Sequence, residues 1–110
     1  MEYIVNDKLL NITPKLLWEG NKYNINDTIS INFELNKMYL IEIRANSSVA
    51  TYFFPFIRNT NDDQWIQYQV PLDNGEFICW RFRIQKNILI IDGGSINLTK
   101  SRGILAIYEL

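Results

Sequence analysis

The sequence feature that most limits the fold is the alternation of apolar and polar residues over 28–35. Ile29, Ile31, Phe33 and Leu35 fall on one side of an extended chain, and the polar residues between them fall on the other. A period of two is typical of a strand with one buried face, whereas an amphipathic helix has a period of 3.6. This segment therefore predicts a β-strand whose apolar side faces a core.

The same alternation recurs along most of the chain. Further strands are predicted at 3–5, 15–20, 39–44, 49–58, 65–70, 77–84, 88–91 and 104–110. The strand at 3–5 is marginal, and the one at 88–91 is apolar on both sides, as in the middle of a covered sheet. A short helix is expected only near 7–10.

Turn-forming residues separate these strands. The polar pair 36–37 predicts a hairpin between the strand at 28–35 and the next one, because a short polar link favours antiparallel neighbours. Pro55 cannot donate a ladder hydrogen bond, which places its strand at a sheet edge or at a bulge. Segment 59–63 is a polar loop, 73–75 a turn, and 92–95 the end of a strand.

About eight strands with turns every eight to twelve residues predict an all-β fold. The expected architecture is an antiparallel two-sheet β-sandwich, jelly-roll-like in its winding. At 110 residues the chain has the size of one domain, 1–110, with 1–14 as an N-terminal arm or extra strand. Its 47% hydrophobic and 21% charged residues are typical of a globular protein.

Charge and composition limit the expected partners. The 11 basic and 12 acidic side chains leave a net charge of -1, which does not favour binding to nucleic acid or to an anionic membrane. No apolar run is long enough to span a bilayer, and the first residues lack the pattern of a signal peptide, so we expect no membrane insertion and no signal-directed secretion. Cys79, the sole cysteine, is expected to be a small buried residue.

The absence of histidine excludes most catalytic templates. Ser-His-Asp and Cys-His arrangements, His-ligated zinc and histidine acid–base chemistry all require it. One cysteine cannot supply a zinc site of thiolates, and the glycine pair at 93–94 lacks the spacing of a phosphate loop. We therefore expect no enzyme, no cofactor and no metal.

Carboxylates leave two alternatives open. A glycosidase needs only two of them, and the candidates are Asp62, Asp63, Asp73, Glu76 and Asp92. All five fall in predicted loops, where acidic residues usually form solvated turns. Calcium prefers oxygen ligands such as those of the loop at 59–63, although the ordered EF-hand pattern is missing.

Aromatic residues give the candidate ligand-binding site. Trp65 lies beside the polar loop at 59–63 and points to the side opposite Ile66 and Tyr68, so it is the best candidate for an exposed contact residue. Arg58 and Tyr52 are the proposed companions. Trp80, in contrast, lies on the apolar side of its strand and is predicted to be in the core.

Two stretches resemble a known class of proteins. Lys15-Leu16-Leu17-Trp18-Glu19-Gly20 is followed by polar residues, the alternating strand from Thr28 and the segment 39–43. This order resembles small β domains of tail-tip and baseplate proteins, which include receptor-binding-like proteins, in phages of Gram-positive bacteria. The ending, 96–100 and then Gly103-Ile104, is also similar to the last strands of such domains.

This resemblance implies a component of the virion, made in the host cytoplasm and located in the phage tail. Members of the class act by binding and assembly, often as homotrimers, and contact other tail proteins or host cell-wall saccharides. Trp18 would then fill the core and Gly20 would allow a turn. The expected function is a non-enzymatic structural or adhesion module, and a free-standing carbohydrate-binding module is the alternative.

Overall fold

A computed structural model of the chain describes residues 3–5, 8–10, 13–44, 51–71, 77–94 and 103–110, and these residues form an all-β fold. The described strands are β1 (Tyr3–Val5), β2 (Lys8–Leu10), β3 (Lys15–Lys22), β4 (Thr28–Ser30), β5 (Met38–Arg44), β6 (Thr51–Ile57), β7 (Gln64–Pro71), β8 (Phe77–Gln85), β9 (Ile88–Gly94) and β10 (Ile104–Glu109). The predicted turn at 73–75 lies outside the described residues.

Eight of these strands form two four-stranded antiparallel sheets. Sheet 1 has the order β3-β10-β5-β6 and sheet 2 the order β4-β9-β8-β7, while β1 and β2 pair only with each other. The chain passes from one sheet to the other between β3 and β4, β4 and β5, β6 and β7, and β9 and β10. The predicted two-sheet sandwich is therefore confirmed.

The core lies between the inner faces of the two sheets. Both sheets contribute alternate residues to it, as the period of two requires. The buried apolar cluster comprises Ile29, Ile31, Phe33, Tyr39, Ile41, Ile43, Phe56, Ile66, Trp80, Phe82, Ile84, Leu89, Ile91, Ile104 and Ile107. The prediction of Trp80 as a core residue is confirmed, and Cys79 is half-buried.

The predicted hairpin between 28–35 and 39–44 is wrong. Regular pairing ends at Ser30, and β4 pairs with β9 in sheet 2, whereas β5 lies in sheet 1 between β10 and β6. Leu35 was expected in the core but is 43% exposed. Leu35 lies in a turn at 35–36, where Asn36 has a φ of 67°. This turn belongs to the connection between the two sheets, so the alternation of the strand no longer applies to Leu35.

Tyr39 holds this passage between the sheets. Its ring is fully buried and contacts Phe33 edge-to-face, with 5.0 Å between ring centroids. Its hydroxyl accepts a hydrogen bond from the Glu34 backbone N–H at 2.6 Å and donates one to the Asn32 carbonyl at 3.5 Å. The same burial raises the pKa of Tyr39. One side chain of sheet 1 thereby fixes the backbone that arrives from sheet 2.

Two further local predictions are wrong. The helix near 7–10 is replaced by β2, which begins at Lys8 and pairs with β1. The strand at 88–91 does not end at Asp92, since β9 continues through Gly93 and Gly94. A Cβ on Gly93 would lie 3.0 Å from the Arg81 guanidinium, so this glycine leaves room for the side chain of the neighbouring strand.

The placement of Pro55 at an edge is confirmed, and the expected turn at Gly20 is wrong. Pro55 lies in β6, an edge strand of sheet 1. Gly20 lies inside β3, and a Cβ there would be 2.7 Å from the Trp18 indole. Trp18 is partly buried against the core, so the missing side chain at Gly20 makes space for the ring.

Candidate functional site

Trp65 is exposed on the outer side of sheet 2. It lies in the edge strand β7, directly across from Arg83 in β8, and 56% of its surface is exposed. The Arg83 guanidinium carbon is 5.4 Å from the centroid of the indole ring, within cation–π range. This contact holds the ring in place while one of its faces stays accessible.

Arg58 and Tyr52 do not join Trp65 in one site. Arg58 follows β6 on its inner side and is only 1% exposed, with its Nη1 donating to Gln64 Oε1 at 3.3 Å. Tyr52 is half-buried at the other end of β6, six residues or about 20 Å away along the strand. The predicted set of three is therefore not a single surface, and Arg58 is not an exposed contact residue.

A groove of about 510 Å³ runs beside Trp65, between the edge strands β6 and β7. Tyr68 lines this groove, and its hydroxyl donates a hydrogen bond to the Pro55 carbonyl at 3.0 Å, which links β7 to β6. Gln64 Nε2 donates to the Ile57 carbonyl at 2.9 Å. These two bonds occupy backbone acceptors on the free edge of β6, which protects that edge from pairing with another strand.

The predicted carboxylate candidates that the structure describes are not brought together. Asp62 and Asp63 are exposed in the loop after β6, and Asp92 accepts a hydrogen bond from Arg81 Nε at 2.8 Å. Asp73 and Glu76 lie outside the described residues. Among the residues that the structure does describe, no group of three or more acidic or cysteine side chains could hold a metal ion.

The outer side of sheet 1 carries a feature that sequence reasoning missed. Leu16, Tyr108, Leu40 and Pro55 form one row across all four strands of the sheet. Met38 and Ile57 pair in the row below, and Phe53 lies above Pro55 on β6. We call these seven residues the apolar face.

Much of the apolar face is accessible to solvent. Leu16, Ile57 and Phe53 are 48%, 47% and 42% exposed, whereas Leu40 and Tyr108 between them are buried and half-buried. The outer side of sheet 2 is less apolar, since exposed Trp65 and Ile88 are separated there by polar residues, which include Gln67, Gln69, Arg81 and Gln85. A contiguous exposed apolar patch marks an interaction surface more often than scattered apolar residues do. The two outer sides of the sandwich are thus chemically unequal.

A recess of about 330 Å³ adjoins the apolar face, and we call it the acidic cup. It is lined by Glu19, Gly20, Glu42, Arg44, Leu105, Ala106 and Tyr108. The Tyr108 hydroxyl donates to Glu42 Oε1 at 3.3 Å. Partial burial raises the pKa of Tyr108, and the negative charges of Glu42 and Glu19 add to that shift. Both carboxylates therefore lie close enough to the Tyr108 hydroxyl to raise its pKa.

Neither carboxylate of the acidic cup forms an ion pair within the described part of the chain, where the ion pairs are Lys37–Glu34, Lys37–Glu109 and Arg81–Asp92. Arg44 lines the same recess and leaves one negative charge in excess. The sequence alone could not reveal this surface. Leu16, Phe53 and Tyr108 come from separate segments, and only the register of four strands puts them side by side.

Comparisons of the chain with protein-family models, with curated proteins and with solved structures found no match. The described residues include no helix long and apolar enough to cross a membrane.

Proposed function

We propose that the chain is a non-enzymatic structural or adhesion module of a phage tail or baseplate, which acts by docking to another protein through the apolar face. The observation that carries this proposal is the difference between the two outer sides of the sandwich. One side presents exposed Leu16, Met38, Phe53 and Ile57, whereas on the other side exposed Trp65 and Ile88 lie among amides and charged groups. The assignment to a phage tail comes from the sequence resemblance of 15–20, 28–31 and 39–43.

The apolar face is too small for a stable complex on its own, and its size suits an assembly in which many copies bind at once. Four strands at about 4.8 Å spacing and about six residues at about 3.3 Å give about twelve outward positions, and the apolar face fills seven of them, which is roughly 200–250 Å² of projected area. At about 25 cal/mol per Å², burial of this area contributes roughly 5–6 kcal/mol before the cost of association. That cost is about 4–15 kcal/mol, so a single such contact is weak. Repeated copies in a tail would make it stable through multivalency.

Co-expression with the structural proteins encoded beside its gene tests this function. We expect the full chain to co-purify with one of them, and the double variant Leu16→Ser/Phe53→Ser to lose that partner. Neither of these residues lines the groove beside Trp65. The matched control is Trp65→Ser, which removes an exposed aromatic from the opposite side of the sandwich and should retain the partner. A complex that survives the double variant, or no complex with any neighbouring tail protein, contradicts the proposal.

A second candidate function is carbohydrate binding at Trp65, which the alternative of a carbohydrate-binding module requires. The exposed indole, fixed by Arg83, offers a stacking surface for a sugar ring, and Gln67 lines the adjacent groove. Titration calorimetry with a panel of bacterial cell-wall saccharides tests it. Binding that Trp65→Ala abolishes and Phe53→Ser preserves would favour this function over docking through the apolar face.

A further inference from the structure

We infer that the partner of the apolar face is a protein surface of different sequence, which places an arginine or lysine side chain in the acidic cup. This inference rests on the proposed function and specifies the chemistry of the partner. The inference depends on Glu19 and Glu42, which lie on either side of Ala106 in one row of sheet 1. Because these two carboxylates are negative and adjoin the apolar face, a protein that covers the face needs a positive charge at this point.

The geometry of the acidic cup suits a guanidinium group. Two strand spacings separate Glu19 from Glu42, which is about 10 Å between Cα atoms. Ala106, which lies between the carboxylates, is small, so the space above it is open to a side chain from outside. A planar guanidinium has five donors and binds carboxylates through paired hydrogen bonds, whereas an ammonium acts as a point charge. Arginine is therefore the preferred occupant.

The surroundings of the acidic cup resemble the centre of a binding interface. Phe53 lies beside Glu42 in the same row, and Leu40 and Tyr108 lie in the next row. Interface hot spots are enriched in arginine and aromatic residues, and apolar contacts around them exclude water. Water exclusion by the apolar face would strengthen the attraction between an inserted arginine and the two carboxylates.

A second copy of this chain fits the same surface poorly. If two copies stacked face to face about a twofold axis parallel to the strands, Leu16 would meet Pro55 and the apolar rows would match. Glu19 and Glu42 of both copies would then share one row, which places four carboxylates together. Arg44 is the cation that lines the acidic cup, so the negative charges stay in excess. In this arrangement Glu19 would face Phe53 and Glu42 would face Ala106. The carboxylates of the two copies would be diagonal neighbours, and their repulsion opposes the dimer.

A titration with defined peptides tests the inferred partner. The probe is acetyl-Leu-Arg-Leu-amide, and the control is the same peptide with citrulline, which keeps the shape of arginine and removes its charge. We expect the arginine peptide to shift the backbone amide NMR signals of Glu19, Glu42 and Ala106. Binding should be at least about fivefold weaker for citrulline, and also for the Glu19→Gln/Glu42→Gln variant, since each loses the charge-assisted hydrogen bonds.

The matched control variant is Asp62→Asn/Asp63→Asn, which removes two exposed carboxylates from the loop after β6. It has the same change in net charge and should bind the arginine peptide as the unmodified chain does. Equal binding of the arginine and citrulline peptides, or no shift at the acidic cup, overturns the inference.

Sedimentation velocity then separates failure of the inference from failure of the proposed function. We expect the unmodified chain to remain monomeric at about 100 μM, and Glu19→Gln/Glu42→Gln to dimerise at least about tenfold more tightly because the repulsion is gone. Phe53→Ser, added to Glu19→Gln/Glu42→Gln, should weaken the dimer again because it removes an apolar contact. If the unmodified chain dimerises as tightly as Glu19→Gln/Glu42→Gln, the inference is wrong, and the apolar face is still an assembly surface. Absence of peptide binding overturns the inference alone when the chain still co-purifies with a neighbouring tail protein, and it overturns both proposals when no such complex forms.

Discussion

Removal of the Tyr39 hydroxyl should destabilise the sandwich without disturbing its core. Tyr39→Phe keeps the buried ring and its contacts with Phe33 and Phe56, whose centroids are 5.0 and 5.5 Å away. It removes the acceptor of the Glu34 backbone N–H and the donor to the Asn32 carbonyl. Both lost bonds belong to the segment that carries the chain from sheet 2 to sheet 1.

The magnitude follows from the burial of these groups. An unsatisfied buried donor costs about 1–3 kcal/mol, and the bond at Glu34 is only partly buried, so we expect a loss of about 1–2 kcal/mol. For a chain of this size that loss lowers the melting temperature by roughly 5–10 °C. Urea unfolding of Tyr39→Phe measures it. Tyr23→Phe is the control, since no hydrogen bond is assigned to the Tyr23 hydroxyl within the described residues. Equal stability of Tyr39→Phe and the unmodified chain would refute the role given to this hydroxyl.

Three further changes test the account. Arg58→Met should leave the free energy of unfolding unchanged or raise it by up to about 2 kcal/mol, because the buried guanidinium forms no ion pair within the described residues; a clear loss in urea unfolding would contradict this. Gly20→Ala should destabilise by about 1–2 kcal/mol by displacing the Trp18 ring, and an unchanged melting temperature would count against that contact. The hydrogen bond from Lys37 lowers the pKa of Glu109, so its stabilisation is present above the ordinary pKa of Glu and disappears as the pH falls through the lowered value. Glu109→Gln should therefore reduce the urea midpoint at pH 7 and have no effect near pH 2; an equal effect at both would exclude the ion pair as its cause.

Side-chain alternation predicted which residues face the core more reliably than which strands pair. Ile29, Trp80, Phe82 and Ile84 are all buried as their parity requires, because the period of two is a local property of an extended chain. Pairing depends on where each connection leads. The turn at 35–36 is short and polar, as in a hairpin, but it joins strands of different sheets, and local sequence does not distinguish these outcomes.

The candidate site was predictable only where it depends on one strand. Trp65 is exposed because it lies opposite Ile66 in parity, and the sequence showed that directly. Arg58 follows the end of β6, where alternation no longer determines whether a side chain points inward. The apolar face and the acidic cup depend on residues far apart in sequence, such as Glu19 and Glu42, which meet only through the register with β10.

Carbene footprinting of the free chain and of the chain within purified tail particles shows directly whether the apolar face is the docking surface. Labelling of Leu16 and Phe53 should then fall several-fold on assembly, while labelling of Trp65 stays unchanged. Unchanged labelling of the apolar face in the assembled particle, with protection confined to Trp65, would contradict docking through this face.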